Sequence, residues 1–215
     1  VSTQRNGEGS PARNVATSEV WIITCDQHVK AKYPRNAKYA WSLTISFNPG
    51  FGPPVGTELS EQGISDVKSM LSQLHNLKKL EIDLPPNPNL TEHAMTELME
   101  AISNLYNLDH LTIRTGNLLP ACESGFRQLS EALNTCSLLE TLVLQFDNCE
   151  KNSKAFTKKN GAVLREGLME LKVLHNLELS FESSIALTDD FMIAVLEAIQ
   201  HLPQLKNLKL DFSRS

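Results

Sequence analysis

A chain of 215 residues that is 41 % hydrophobic can bury one sizeable core, so one domain is expected. A formal net charge of −5 and a pI near 5.7 argue against a protein that neutralises nucleic-acid phosphates, and no Lys/Arg run marks a membrane-surface patch. No apolar stretch approaches the ~20 residues that a membrane helix needs, so no membrane insertion is expected.

Residues 1–17, VSTQRNGEGSPARNVAT, are polar and rich in Gly, Ser, Asn and Arg. They read as a flexible tail or linker and lack the apolar core of a secretory signal. The chain begins with Val, as a processed product or a piece of something longer would, and any targeting segment can already be gone. Residues 18–39 follow as a capping strand and loop. SEVWIITCDQ (18–27) is strand-like, and with Trp21, Tyr33 and Tyr39 it would cover the front of what comes next.

From residue 40 to 215 the sequence repeats itself. The pattern apolar-x-x-Leu-x-apolar-x-apolar stands as AWSLTISF from Ala40, LKKLEIDL from Leu77, LDHLTIRT from Leu108, LETLVLQF from Leu139, LHNLELSF from Leu174 and LKNLKLDF from Leu205. Alternation with period two predicts a strand in each. Before each of the last five strands lies a helix-like segment in fixed register. Val67, Leu98, Leu129, Leu164 and Val195 stand ten residues ahead of the strand motif, and Leu71, Ile102, Leu133, Leu168 and Ile199 stand six ahead. Leu74, Leu105, Cys136, Leu171 and Leu202 stand three ahead. Offsets of three and four place these residues on one helix face.

Seventeen residues ahead of the motifs stand Ser60, Thr91, Cys122, Thr157 and Thr188, the expected helix N-caps. Cys caps poorly, so the third cap can slip to Ser124. Cap-to-strand spacing never changes, whereas strand-to-cap spacing does, so insertions fall in the strand-to-helix loops. FNPGFGPPVGTEL (47–59) and DNCEKNSKAF (147–156) are the long ones. The lysines of KNSKAFTKK (151–159) read as a solvated insertion, and the sequon Asn89-Leu90-Thr91 reads as an N-cap.

The run ALNTCSLLETLVL (132–144) resembles the leucine-rich repeats of the ribonuclease-inhibitor type, and the resemblance extends over residues 40–212. It implies an α/β solenoid, a curved horseshoe segment of about six repeats with a parallel sheet inside and helices outside. The family's ninth position, usually Asn or Cys, holds Pro85, Gly116, Asp147, Glu182 and Ser213 here, so the turns must be satisfied another way. The resemblance also implies an alternative role as a regulator of a GTPase, since one family of GTPase activators uses such repeats. Arg114 is the sole Arg expected on the inner face.

In such a solenoid the third, fifth and seventh motif residues line the concave side. The candidate contacts there are Lys79, Glu81, Asp83, His110, Thr112, Arg114, Gln145, Glu178, Lys209 and Asp211: polar, mixed in sign, without an aromatic anchor. Behind the last strand no cap is evident, so Leu208, Leu210 and Phe212 are candidate contacts at an open end, covered by a continuation of the chain or by another protein. The four cysteines (Cys25, Cys122, Cys136, Cys149) form no C-x-x-C pair and read as free thiols of a reducing compartment. The histidines show no zinc or catalytic spacing, and no phosphate-binding or nucleophile-elbow motif occurs. The expected function is a non-catalytic, cytoplasmic protein-binding or scaffolding module with no cofactor. Its partner would be another protein, met through the inner face, the long loops or the C-terminal edge, as part of a larger assembly.

Overall fold

The computed structural model describes residues 20–24, 40–46, 61–84, 91–115, 124–147, 149 and 156–214. Seven strands make one all-parallel sheet in chain order: β1 (Val20–Thr24), β2 (Ser42–Ser46), β3 (Lys79–Asp83), β4 (His110–Arg114), β5 (Thr141–Gln145), β6 (Asn176–Ser180) and β7 (Asn207–Asp211). From β2 onward a helix stands between each pair of strands: α1 (Glu61–Leu71), α2 (Glu92–Ser103), α3 (Gly125–Thr135), α4 (Lys158–Met169) and α5 (Asp189–Gln200). The architecture is α/β, with strand and helix alternating as in a solenoid-like repeat.

One register holds throughout, so Leu80, Leu111, Leu142, Leu177 and Leu208 are partners across the sheet, and so are Ile82, Ile113, Leu144, Leu179 and Leu210. Except on β7 these side chains are buried against the helices. Each such burial contributes about 1.5–3 kcal/mol, which is why the alternation forces strand pairing in register. The helix stripe also meets the core: Val67, Leu98, Leu129, Leu164 and Val195 are all buried.

The helix-to-strand half is built the same way five times. The amide of Leu74, Leu105, Cys136, Leu171 or Leu202 donates to the carbonyl three residues back, and the next motif's first residue does likewise. Between units, the carbonyls of Trp41, Lys78, Asp109, Glu140 and His175 each accept two successive amides of the following unit, at 2.8–3.0 Å. These bonds hold each unit to the one before it through its backbone.

Helix starts follow the chemistry of free first-turn amides. Thr91, Thr157 and Thr188 are N-caps accepting from Ala94, Asn160 and Phe191, whereas Ser124 caps α3 by position, its hydroxyl accepting from the Gln128 side chain and from no first-turn amide. Instead the amide and hydroxyl of Ser124 both donate to Glu92, and Thr91 donates to Glu61 at 2.5 Å. A first-turn carboxylate thus ties α1 to α2 and α2 to α3. Ser60, Cys122, Pro85, Gly116, the loop 47–59, most of 147–156, and the tail and capping loop outside Val20–Thr24 lie outside the described residues. Cys136 and Cys149 are free and buried, and burial pushes each thiol up to about 11, which keeps both protonated and unreactive.

Candidate functional site

The sheet face turned away from the helices gathers three rows of side chains. Lys79, His110, Thr141, Asn176 and Asn207 form the first; Glu81, Thr112, Val143, Glu178 and Lys209 the second; Asp83, Arg114, Gln145, Ser180 and Asp211 the third. Parallel pairing in one register makes each row a straight line, because alternate residues of every strand leave the sheet on the same side.

Charge on this face is concentrated on β3–β4 and on β6–β7. On the β3–β4 side, Lys79 Nζ lies 2.7 Å from Glu81 Oε1, and Arg114 Nη1 lies 4.0 Å from Glu81 Oε2. The hydrogen bond from Lys79 holds the Glu81 carboxyl below its usual range, with Arg114 adding to the effect. Burial, then the positive Lys79, pushes the neighbouring His110 down, so its ring is neutral at pH 7. On the β6–β7 side, Lys209 Nζ sits 2.7 Å from Glu178 Oε1, which raises the lysine, while the Ser213 amide at 2.9 Å lowers Asp211. These exposed pairs add little stability but fix where charge stands.

β5 between them is neutral, and from β5 onward so is the first row. Asn207 Nδ2 donates to Asn176 Oδ1 at 2.7 Å, and Asn176 Nδ2 donates to Thr141 Oγ1 at 3.0 Å, giving a short ladder across β5–β7. Val143 and Gln145 complete this centre. Thr112 is only 2 % exposed, with its hydroxyl 3.4 Å from His110 Nε2, so it supports the histidine and presents almost no surface of its own. Ser180 is also buried, donating to Asp147 Oδ1 at 2.7 Å. The accessible candidates are thus Lys79, Glu81, Asp83, His110, Arg114, Gln145, Glu178, Lys209 and Asp211.

At the sheet edge, Leu208 is 46 % exposed, while Leu210 and Phe212 are partly buried, Phe212 stacking on Phe181 with centroids 5.7 Å apart. Sequence reasoning missed that the apolar edge extends onto α5, where Ile193 and Leu196 are exposed. The residues equivalent to Leu196 are Lys68, Met99, Ser130 and Arg165, of which Met99 and Ser130 are buried, so the position alone gives no uniform signal. Sequence reasoning also missed the role of Asp147. That carboxylate accepts the Glu182 amide at 2.9 Å, doing for the rear turn what Asn would do at the same slot.

Among the described residues no three His, Cys, Asp or Glu side chains gather as a metal site, and no helix is long and apolar enough to cross a membrane. The class defined by the fold is an α/β protein of strand–helix units on one parallel sheet. Comparison with protein-family models gives no match, and comparison with curated proteins gives none either.

Proposed function

We propose that the chain is a leucine-rich-repeat array of the ribonuclease-inhibitor type that works in the cytoplasm as a non-catalytic protein-interaction module of a larger assembly. The observation that carries this reading is the division of each strand. One face supplies an apolar core, and the other lines up polar side chains in three straight rows. Such rows present fixed donors, acceptors and charges of both signs, which suits a polar protein surface. Glu81 is engaged by Lys79 and Arg114, and His110 by Thr112, so the titratable groups orient one another. The β7 residues Leu208, exposed, and Leu210 and Phe212, partly buried, offer a second, apolar contact.

Charge reversal at Glu81, Asp83 and Glu178 tests the sheet-face contact. Partner capture from the native source is expected to fall at least tenfold, with the far-ultraviolet circular dichroism unchanged. Undiminished capture by the triple variant, with losses only from changes at the β7 edge or the 147–157 loop, would remove the sheet face from the account.

A further inference from the structure

We infer that the turns leading from α2 into β4 and from α3 into β5 form a docking surface for a basic, partly apolar segment of another protein. This surface borders the first polar row of the sheet without belonging to it, and the inference does not rest on the sheet-face reading.

The first observation is apolar. Tyr106 is 56 % exposed and Leu138 52 %. The two turns are built alike: the amides of Leu105 and Cys136 donate to the carbonyl three residues back, as do those of Leu108 and Leu139. The Glu140 amide meets the Asp109 carbonyl at 2.9 Å, so the turns lie side by side at about the 4.8 Å spacing of neighbouring strands. Leu138 therefore stands level with Asn107, next to Tyr106. Asn107 turns the other way, donating to the His75 carbonyl at 2.7 Å, and leaves Leu138 uncovered. Among the described residues, the turns before β3, β6 and β7 carry no exposed large apolar side chain.

The second observation is electrostatic. Lys78, Asp109, Glu140, His175 and Lys206 stand in a line just ahead of the strands, each amide from Asp109 onward bonded to the carbonyl of the residue before it in that line. Asp109 and Glu140 are thus neighbours of like charge, which costs stability unless a cation meets them. Lys78 Nζ is 3.7 Å from Asp109 and His175 Nδ1 is 3.8 Å from Glu140, both beyond hydrogen-bond distance, and the histidine is a cation only when protonated.

Helix ends add to the excess. Lys172 donates to the Met169 carbonyl at the end of α4, and the turn after α5 holds Lys206. α2 ends EAIS and α3 ends ALNT, with no basic residue. Their carbonyls take neutral donors: Asn104 Nδ2 on Glu100 at 2.8 Å, and Thr135 Oγ1 on Ala132 at 2.7 Å. Lys68 reaches across from α1 to α2, but there it meets two carboxylates, Glu97 and Glu100. The negative poles of α2 and α3 therefore point at the same two turns that carry Tyr106 and Leu138.

An apolar pair beside two adjacent carboxylates fits a segment in which an aliphatic or aromatic side chain is flanked by lysine or arginine. The apolar side chain covers Tyr106 and Leu138, and the cation stands between Asp109 and Glu140. A second copy of this chain, itself at −5, brings no excess of positive charge to the contact.

A peptide array tests this, with leucine, phenylalanine or tyrosine flanked by lysine or arginine, against the same peptides carrying glutamate for each cation. Fluorescence anisotropy then follows the tightest cationic peptide on the full chain. The chain should bind the cationic peptides and not the glutamate ones, more weakly as salt rises. Glu140→Lys, and separately Tyr106→Ser with Leu138→Ser, should weaken binding at least tenfold, with the far-ultraviolet circular dichroism unchanged. Glu131→Lys makes the same change of net charge on the exposed side of α3 and should leave the affinity within about twofold. No binding up to about 100 µM, equal losses from Glu131→Lys and Glu140→Lys, or indifference to the Tyr106 and Leu138 changes overturns the inference. So does self-association of the chain that Leu138→Ser abolishes, since the occupant would then be a second copy. A loss in the Glu81, Asp83 and Glu178 variant as large as that from Glu140→Lys puts the peptide on the sheet face and also overturns it. The sheet-face reading is decided separately, by partner capture with that variant.

Discussion

At the end of β3 and β4 the slot after the strand is filled by Leu84 and Thr115; at the end of β5, β6 and β7 the same slot holds Phe146, Phe181 and Phe212. All but the last are buried. In the rear units Phe146 and Phe181 join Phe126 and Phe191 from the helices and Phe156 from the loop, in edge-to-face and tilted contacts with centroids 5.0–6.0 Å apart. The longer 147–156 insertion is therefore anchored at both ends: Cys149 is buried near its start, and Phe156 returns to the core at its finish. Ser184 binds the two layers together, donating to the Phe146 carbonyl at 2.7 Å and accepting the Cys149 amide at 3.3 Å. In the front the buried Thr115 hydroxyl has no partner among the described residues. The contrast teaches that a solenoid-like unit tolerates a longer strand-to-helix loop when the loop brings its own apolar anchor.

Phe156→Ala should break the rear arrangement most severely, removing a ring that meets Phe126, Phe181 and Phe191. We expect a loss of about 3–5 kcal/mol in urea unfolding, from lost burial and the cavity left behind. Gly161→Val attacks the same region from the helix side. A Cβ at Gly161 would lie 2.9 Å from the Phe191 Cα, a backbone atom that cannot turn aside, so α4 and α5 must separate. A cost of about 1–3 kcal/mol is expected in the same assay.

Asp147→Ala strands the Glu182 amide and the Ser180 hydroxyl, and should cost about 1–2 kcal/mol. Hydrogen exchange should show the loss as faster exchange at Glu182, with the β3 and β4 amides unaffected. Thr115→Val has the opposite sign. Removing an unpartnered buried hydroxyl at nearly constant volume should stabilise the front by up to ~1 kcal/mol, read as a higher urea midpoint.

The smallest effect expected is on pH dependence, and it belongs to the front. His110 is held below its ordinary 6.5 by burial, so its contribution is full above that pH. It is lost as pH falls toward the lowered native value, because the unfolded chain takes up the proton first. Glu81, held below 4.5 by Lys79, behaves likewise further into acid. His110→Asn should flatten the upper part of the acid limb in a series of melting temperatures. An unchanged limb would place the titrating group elsewhere.

The helix-to-strand half was legible because one spacing repeats. Val67, Leu98, Leu129, Leu164 and Val195 announce a helix stripe, and the Leu-x-apolar alternation announces the strands and their inward face. Three of the caps were legible from Thr91, Thr157 and Thr188 alone. The strand-to-helix half was not, since the partners of Asp147 and Ser184 lie 33–38 residues away and no local pattern joins them. Of the candidate contacts, the rows themselves were legible from period two. That Thr112 sinks beneath His110 was not, because period two gives the face of a residue and not the height of its neighbours.

The central claim, that the polar sheet face is where another protein docks, is met most directly by site-specific photocrosslinking in native extract. A photoreactive phenylalanine analogue at Gln145, in the centre of the face, is compared with one at Glu131 on the exposed side of α3. The account predicts a discrete protein adduct from Gln145 and none from Glu131. Adducts from Glu131, with none from Gln145, would contradict it.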